Sequence, residues 1–198
     1  MIGILIDCSN TYLNVGLSKD GSLMDSISYE AWQRQSEKLV EEINSILKRN
    51  NLTKDSLGYV VCSKGPGSYT GIRIALTVAK TISFALNIPL YLVSSLEVLR
   101  KPQRTSICVM NARSKRSYIG VYEGQKNILP DQIMDNPAVL SLINEHPQWD
   151  VCGDVAYLGV DGYQSDVLEI LNESNVDCYL CREPLGAKPV YLKDSYLT

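Results

Sequence analysis

One stretch in the middle of the chain limits the fold more than any other. Residues 59–63 have the composition of a buried strand, and residues 65–71 form a glycine-rich loop. We predict an apolar helix from this loop to residue 86, followed by a second strand over residues 90–93. A strand, a crossover helix and another strand favour two parallel neighbours in one sheet, so the chain is predicted to be an α/β protein.

The segments on either side predict mixed sheets in two lobes. Upstream there are three antiparallel strand patterns and one helix with a single apolar face, at residues 3–8, 12–17, 22–29 and 36–50. Downstream the signals favour four more strands and two short helices, at residues 94–99 (helix), 105–110, 118–122, 150–154, 166–172 (helix) and 176–180. A Lys-Pro-Gln sequence indicates the boundary, which gives lobes 1–102 and 103–198.

Composition excludes several classes of protein. The chain has 198 residues, of which 45% are hydrophobic and 21% charged, and such a chain is globular rather than disordered. Its longest mostly apolar stretch, residues 72–86, is too short for a membrane helix and contains Arg73 and Lys80. The first residues lack the basic start of a signal peptide. Four of the six cysteines lie in strand-like runs, which predicts buried, reduced thiols and a cytoplasmic protein.

Histidine chemistry is also excluded. His146 is the single histidine of the chain, so a metal site with paired histidines cannot be built. The sequence offers no catalytic triad around His146 either. Cys178 and Cys181 form a lone C-x-x-C pair, whereas a structural zinc needs four ligands. We therefore predict no metal site and no histidine-dependent hydrolase.

Charge is distributed unevenly along the chain. Residues 56–122 contain nine basic residues and one acidic residue, whereas residues 123–198 contain four basic and thirteen acidic ones. A basic middle segment can meet an anionic partner, and Arg113, Lys115 and Arg116 are the candidate contacts with a nucleic acid or an acidic surface. The alternative is that the two regions face each other or water.

Two polar segments are candidates for contact with a phosphate or a nucleotide. Gly65, Gly67 and Ser68 lie between a strand and a helix, where free backbone amides and the helix dipole favour an anion. The alternative is a tight structural turn in which Ser68 caps the helix. Asp7 follows a buried strand and can hold a hydrated Mg²⁺ near phosphates. For this residue the alternative is an Asx-turn.

The helix after the glycine loop is apolar nearly all round. A helix of this kind must be buried nearly all round, by its own sheet, by the helix over residues 36–50, by another protein, or by a combination of these. Small residues at a spacing of four permit close approach of a second helix. The predicted partner interface consists of Leu39 and Ile43 on the first helix and Gly71, Ala75 and Ala79 on the second.

Several of these motifs together resemble the TsaB (YeaZ) family. The resemblance is carried by Gly-Pro-Gly-Ser-Tyr-Thr-Gly-Ile-Arg at residues 65–73, Asn-Ile-Pro-Leu at 87–90 and Val-Ser-Ser-Leu-Glu at 93–97. Shorter stretches are similar too: Ile-Asp-Cys-Ser at 6–9, Asn-Ala-Arg at 111–113 and Pro-Val-Tyr-Leu-Lys at 189–193. The similarity is good over roughly the first 122 residues and patchy beyond them.

The resemblance implies a fold and a function. The fold is the actin-like ATPase/Hsp70 (ribonuclease H-like) superfold, with two related lobes of mixed sheets flanked by helices. The function is that of a non-catalytic subunit in the bacterial synthesis of tRNA N6-threonylcarbamoyladenosine, which pairs with the catalytic TsaD through the two helices of its first lobe. The implied partners are TsaD, TsaE and, through the complex, tRNA, with a homodimer when the chain is isolated. The implied subunit has no cofactor of its own, and ATP or ADP is expected only at the interface within the complex.

Two other functions remain open from the residues alone. One is a kinase or ATPase of the same superfold acting by itself. Such an enzyme requires a second phosphate loop, for which residues 153–154 and 159–162 are the candidates. The other is a stand-alone tRNA binder that uses the basic segment over residues 100–116, although this segment lacks interleaved aromatic residues.

Overall fold

The computed structural model describes residues 1–31 and 33–192, which form two compact units. The first unit comprises Met1–Ser94 and Val167–Val190, and the second comprises Ser95–Asp166 with the described residues after Val190. Lys193, the last residue of the motif near the C-terminal end, lies outside the described residues. Each unit contains its own sheet.

The first unit is built on a five-stranded mixed sheet. Its strands are β1 (Ile2–Asp7), β2 (Tyr12–Lys19), β3 (Ser22–Glu30), β4 (Leu57–Ser63) and β5 (Leu90–Val93), in the order β3-β2-β1-β4-β5. The first three strands form an antiparallel meander, and β4 and β5 run parallel to β1. The strand–helix–strand unit predicted from the sequence is therefore confirmed.

Two helices cover this sheet, α1 (Gln35–Arg49) and α2 (Tyr69–Leu86). The apolar face predicted for α1 is confirmed, because Leu39, Ile43 and Ile46 are all buried. The side chain of Ser68 caps α2 by accepting a hydrogen bond of 3.2 Å from the Gly71 amide. Both helices contribute to one core cluster with the strands of the sheet.

The second unit repeats the connectivity of the first on a smaller scale. Its elements are β6 (Thr105–Arg113), β7 (Arg116–Glu123), β8 (Lys126–Asp135), α3 (Asn136–Glu145) and β9 (Asp150–Gly153), with strand order β8-β7-β6-β9. An antiparallel meander is again followed by a helix and by a strand parallel to the first. The predicted class, two related lobes with mixed sheets, is confirmed.

The sequence missed two elements of the second unit and misassigned one of the first. Neither β8 nor α3 was predicted: β8 is an edge strand with Pro130 in its middle, and α3 buries only Val139. The strand predicted over residues 176–180 is wrong, because this segment contains the 3₁₀ helix Asp177–Tyr179. Only an isolated bridge between Leu180 and Tyr91 remains there.

The chain returns to the first unit after Asp166. Helix α4 (Val167–Asn172) packs on the first sheet with Leu168, Ile170 and Leu171 buried. The structural division therefore differs from lobes 1–102 and 103–198, since the first unit ends at Ser94 and regains residues 167–190. The amphipathic pattern of α4 predicts a helix, but it does not say which sheet the helix covers. No helix in the described parts of the chain is long and apolar enough to cross a membrane.

Candidate functional site

The two segments predicted to contact phosphates lie side by side in the first unit. Because β4 is the parallel neighbour of β1, the loop after β4 meets the turn after β1. The Ser68 amide donates a hydrogen bond of 2.8 Å to the Ser9 carbonyl oxygen, which joins the two segments directly.

The carboxylate of Asp7 is fully engaged inside the fold. Only 1% of the residue is exposed, and its oxygens accept hydrogen bonds from the Ser9 amide at 3.2 Å and from Asn14 Nδ2 at 3.0 Å. The Ser63 hydroxyl donates a third bond, and Ser28 Oγ holds the Asn14 amide oxygen at 2.6 Å. The bond from the Ser9 amide is that of an Asx-turn, so Asp7 ties together β1, β2 and β4 rather than presenting a free carboxylate.

The glycines of the loop are required by backbone contacts within the chain. A Cβ at Gly67 would lie 2.3 Å from the Ser9 carbonyl oxygen, and one at Gly71 would lie 2.0 Å from the Cys8 carbonyl oxygen. At Gly65 the backbone has a φ of 104°, and a Cβ there would meet the Val190 carbonyl oxygen at 2.5 Å. These contacts favour the structural turn over the phosphate site.

Asp7, Gly65, Gly67 and Ser68 do not fit a nucleotide phosphate. The Ser68 amide is bonded to Ser9, and the Ser68 hydroxyl accepts from the Gly71 amide. Asp7 has no exposed oxygen with which to hold a hydrated cation beside a phosphate. The structure brings these residues together, but it uses them to fasten the loop to the turn after β1.

The predicted partner interface needs correction. Its five residues, Leu39, Ile43, Gly71, Ala75 and Ala79, are all buried in the chain's own first unit, with at most 5% exposure for the four that carry side chains. The small residues of α2 permit close approach of the helix to its own sheet and to the turn after β1. They therefore cannot meet helices of another chain.

The opposite side of the same two helices forms a surface that the sequence did not indicate. A groove of about 460 Å³ lies there, lined by Ser36, Tyr69, Thr70, Arg73, Ile74, Thr77 and Val78. Val40, one helical turn after Ser36, is 52% exposed. The Arg73 guanidinium lies 5.0 Å from the centroid of the Tyr69 ring and donates to its hydroxyl. We call Ser36, Val40 and the six α2 residues the α1–α2 face.

The basic residues predicted to contact tRNA are at the tip of the β6–β7 hairpin. Arg113 and Lys115 are exposed, Arg116 is half-buried, and none of the three forms an ion pair with a described residue. Other cations of the same segment are neutralised: Lys101 Nζ and Arg104 Nε each lie 2.9 Å from a carboxylate oxygen of Asp150. The hydrogen bond from Lys101, together with that from Arg104, lowers the pKa of the Asp150 carboxyl.

The cysteines are free thiols of two kinds. The four in strands or strand ends are buried, as predicted, and Cys178 is exposed while Cys181 is half-buried. Burial raises the pKa of the Cys62 and Cys108 thiols well above the ordinary value. Among the residues that the structure describes, no three His, Cys, Asp or Glu side chains form a group that could hold a metal ion.

Comparisons with known proteins connect this geometry to a family. The sequence model of a family described as "TsaD: tRNA N6-adenosine threonylcarbamoyltransferase" matches residues 29–152. The tRNA threonylcarbamoyladenosine biosynthesis protein TsaB of Bacillus subtilis is 30% identical over 142 residues, which is 70% of this chain. An uncharacterised protein of Mycoplasma genitalium is 28% identical over 198 residues, and the alignment covers 96% of this chain and 94% of that protein.

A solved structure and the lengths of the relatives complete the comparison. The structure of YeaZ from Pseudomonas aeruginosa superposes with a TM-score of 0.80 at 20% identity, over 96% of this chain and 99% of that one, which shows a shared fold. This chain spans 62% of the length of the TsaB proteins from Bacillus subtilis and from Buchnera aphidicola subsp. Schizaphis graminum.

Proposed function

This chain belongs to the TsaB (YeaZ) members of the TsaD family, and from that premise we propose that it is a non-catalytic subunit of the machinery that forms N6-threonylcarbamoyladenosine in tRNA. The observation that carries the proposal is the family match over residues 29–152, which includes α1, the glycine loop, α2 and the β6–β7 hairpin. The names of the TsaB relatives supply the pathway.

The partner in this proposal is TsaD, and the contact is the α1–α2 face. Both helices use their other side for their own core, whereas this face is open to a second protein. It combines the exposed Val40 with the half-buried Ile74 and Val78 around a groove, which gives apolar area for burial. In the isolated chain the same face joins two copies in an isologous dimer that TsaD displaces. TsaE and tRNA then join through the complex.

The chain supplies neither chemistry nor a cofactor in this arrangement. The engagement of Asp7 and Ser68 in internal hydrogen bonds supports this part of the proposal. An adenine nucleotide in the complex, ATP or ADP, would be held at the interface by residues of the partner. The subunit acts in the cytoplasm, where buried thiols such as Cys62 and Cys108 stay reduced.

Co-expression with the TsaD of the same organism tests the proposal. Thr77 is exposed on α2, so Thr77→Arg should leave the chain folded, abolish co-purification with TsaD and convert the isolated dimer to a monomer in analytical ultracentrifugation. The matched control is Ser45→Arg, an exposed position on another side of α1, which should change neither property.

Two results would reject the proposal. The first is a wild-type chain that does not co-purify with TsaD. The second is ATP turnover by the isolated chain above background, which would establish the stand-alone kinase or ATPase instead. A folded Thr77→Arg variant that pairs normally with TsaD would retain the subunit role but remove the α1–α2 face from the interface.

A further inference from the structure

The tip of the β6–β7 hairpin has an unusual backbone for its residue types. Arg113, Ser114 and Lys115 are consecutive left-handed residues, with φ of 62°, 53° and 59°. Residues with a Cβ are disfavoured in this region, and a two-residue hairpin turn with positive φ at both positions prefers Asn-Gly or Asp-Gly. The tip therefore does not have the sequence that is best for turning the chain.

Two other hairpins of the same chain also have two residues between their strands, and both use the favoured turn residues. The β2–β3 turn is Asp20-Gly21, with φ of 51° and 83°. The β7–β8 turn has Gly124 at its left-handed position, with φ of 57°. The comparison indicates that the residues at the β6–β7 tip serve something other than the turn, since strained backbone is concentrated at functional sites.

The charge of the tip points to an anion. Three cations stand within four residues, and none has an ion-pair partner among the described residues, whereas Lys101 and Arg104 of the same unit share Asp150. The acidic residue opposite Arg116 in the β7–β8 register is Asp135, which is exposed and forms no ion pair in the described chain.

We propose that the β6–β7 tip, residues 113–116, binds the phosphate backbone of RNA. Phosphate contacts need charge and hydrogen-bond donors, which the two arginines, the lysine and the Ser114 hydroxyl supply. Residues 113–116 include no apolar or aromatic side chain, and the preceding Ala112 is buried. Protein interfaces depend on such residues, so an RNA backbone suits this surface better than an acidic protein.

Binding at this tip is independent of base sequence. The tip offers cations at the end of a two-stranded ribbon and no aromatic platform on which bases could stack. The choice of tRNA as the RNA rests on the proposed function, whereas the phosphate contact itself does not.

Salt-dependent binding of an unmodified tRNA transcript tests the inference. Fluorescence anisotropy is measured over a series of KCl concentrations, with the full chain alone and with the chain bound to TsaD. In the double variant Arg113→Gln/Lys115→Gly, the slope of log K against log salt should decrease in magnitude by about 2, one for each lost phosphate contact. Lys115→Gly introduces the favoured turn residue, so this variant remains folded.

Two further variants give the sign and the location of the effect. Asp135→Asn removes the neighbouring negative charge and should strengthen tRNA binding at low salt. Lys126→Gln removes one positive charge at the opposite end of β7, where Lys126 lies opposite Glu123 in the strand register, and should leave the salt slope unchanged.

The outcomes separate the inference from the proposed function. The inference is overturned when the double variant keeps the wild-type slope in both samples, or when the wild-type chain binds no tRNA in either. A double variant that loses TsaE or TsaD while keeping the wild-type slope also overturns it, in favour of an acidic protein surface. Failure of the wild-type chain to pair with TsaD rejects the proposed function, but the slope measured for the chain alone still tests the tip.

Discussion

Replacing Gly71 by alanine should destabilise this chain, although the same replacement within most helices stabilises them. Alanine is favoured over glycine inside a helix by about 1 kcal/mol. Gly71 is the third residue of α2, and a Cβ at this position would lie 2.0 Å from the Cys8 carbonyl oxygen. The helix or the turn after β1 must therefore move to accept a single methyl group.

The size of the effect follows from two opposing contributions. Overpacking costs about 1–3 kcal/mol, and a clash with backbone places the cost towards the upper end of this range. After subtraction of the propensity gain of about 1 kcal/mol, the net loss of unfolding free energy is about 1–2 kcal/mol. For a chain of this length, that loss corresponds to a decrease in Tm of roughly 2–8 °C.

Urea unfolding followed by circular dichroism measures this difference. The matched control is Thr77→Ala, an exposed position in the same helix, which should be neutral or stabilising by up to about 0.7 kcal/mol. If Gly71→Ala is as stable as the wild type or more stable, Gly71 does not lie against Cys8. The stripe of small residues would then be free for another helix, as the sequence alone suggested.

Two more measurements test the packing of titratable groups. Burial and the Glu42 carboxylate, which accepts a hydrogen bond of 2.8 Å from its hydroxyl, raise the pKa of Tyr29 to about 12. Because the folded pKa is higher than the unfolded value of about 10, the stability from this group is complete below about pH 10 and is lost as the pH rises towards 12. Tyr29→Phe should therefore lose less stability than the wild type between about pH 9 and about pH 11 in urea titrations, and equal losses would contradict the assignment. In a separate assay, a thiol reagent should modify Cys178 first and Cys181 more slowly, with the remaining four cysteines reacting only on unfolding, and rapid reaction of all six in the native chain would contradict their burial.

Helices and strands were predicted well where the local sequence has a clear pattern of apolar residues. The meander β1–β3 and the buried face of α1 were predicted from local patterns of apolar and turn residues, and α2 from the apolar stretch that follows the glycine loop. The strand β8 and the helix α3 were missed because edge position and shallow burial leave little periodic signal.

The candidate site was predictable only in part, because its meaning depends on residues distant in sequence. A glycine-rich loop before a helix is compatible with a phosphate or with a close backbone neighbour, and the neighbours of Gly67 and Gly71 are the carbonyl groups of Ser9 and Cys8. Likewise, a helix that is apolar on two sides does not indicate which side faces its own sheet. The sequence therefore assigned Ala75 to a partner, whereas the structure places it in the core.

The division of the first unit affects the order in which the chain can fold during synthesis. Its central strands are made early, but α4 and the segment up to Val190 are made only after Ser95–Asp166, which carry the whole sheet of the second unit. The Val190 amide bonds the Lys64 carbonyl oxygen at 2.8 Å, and the Cys181 amide bonds that of Leu90 at 2.8 Å. These long-range closures cannot form until residues 181–190 have left the ribosome. The sheet of the second unit can form first, while the apolar surface on which α4 packs stays uncovered and exposed to chaperones or to aggregation.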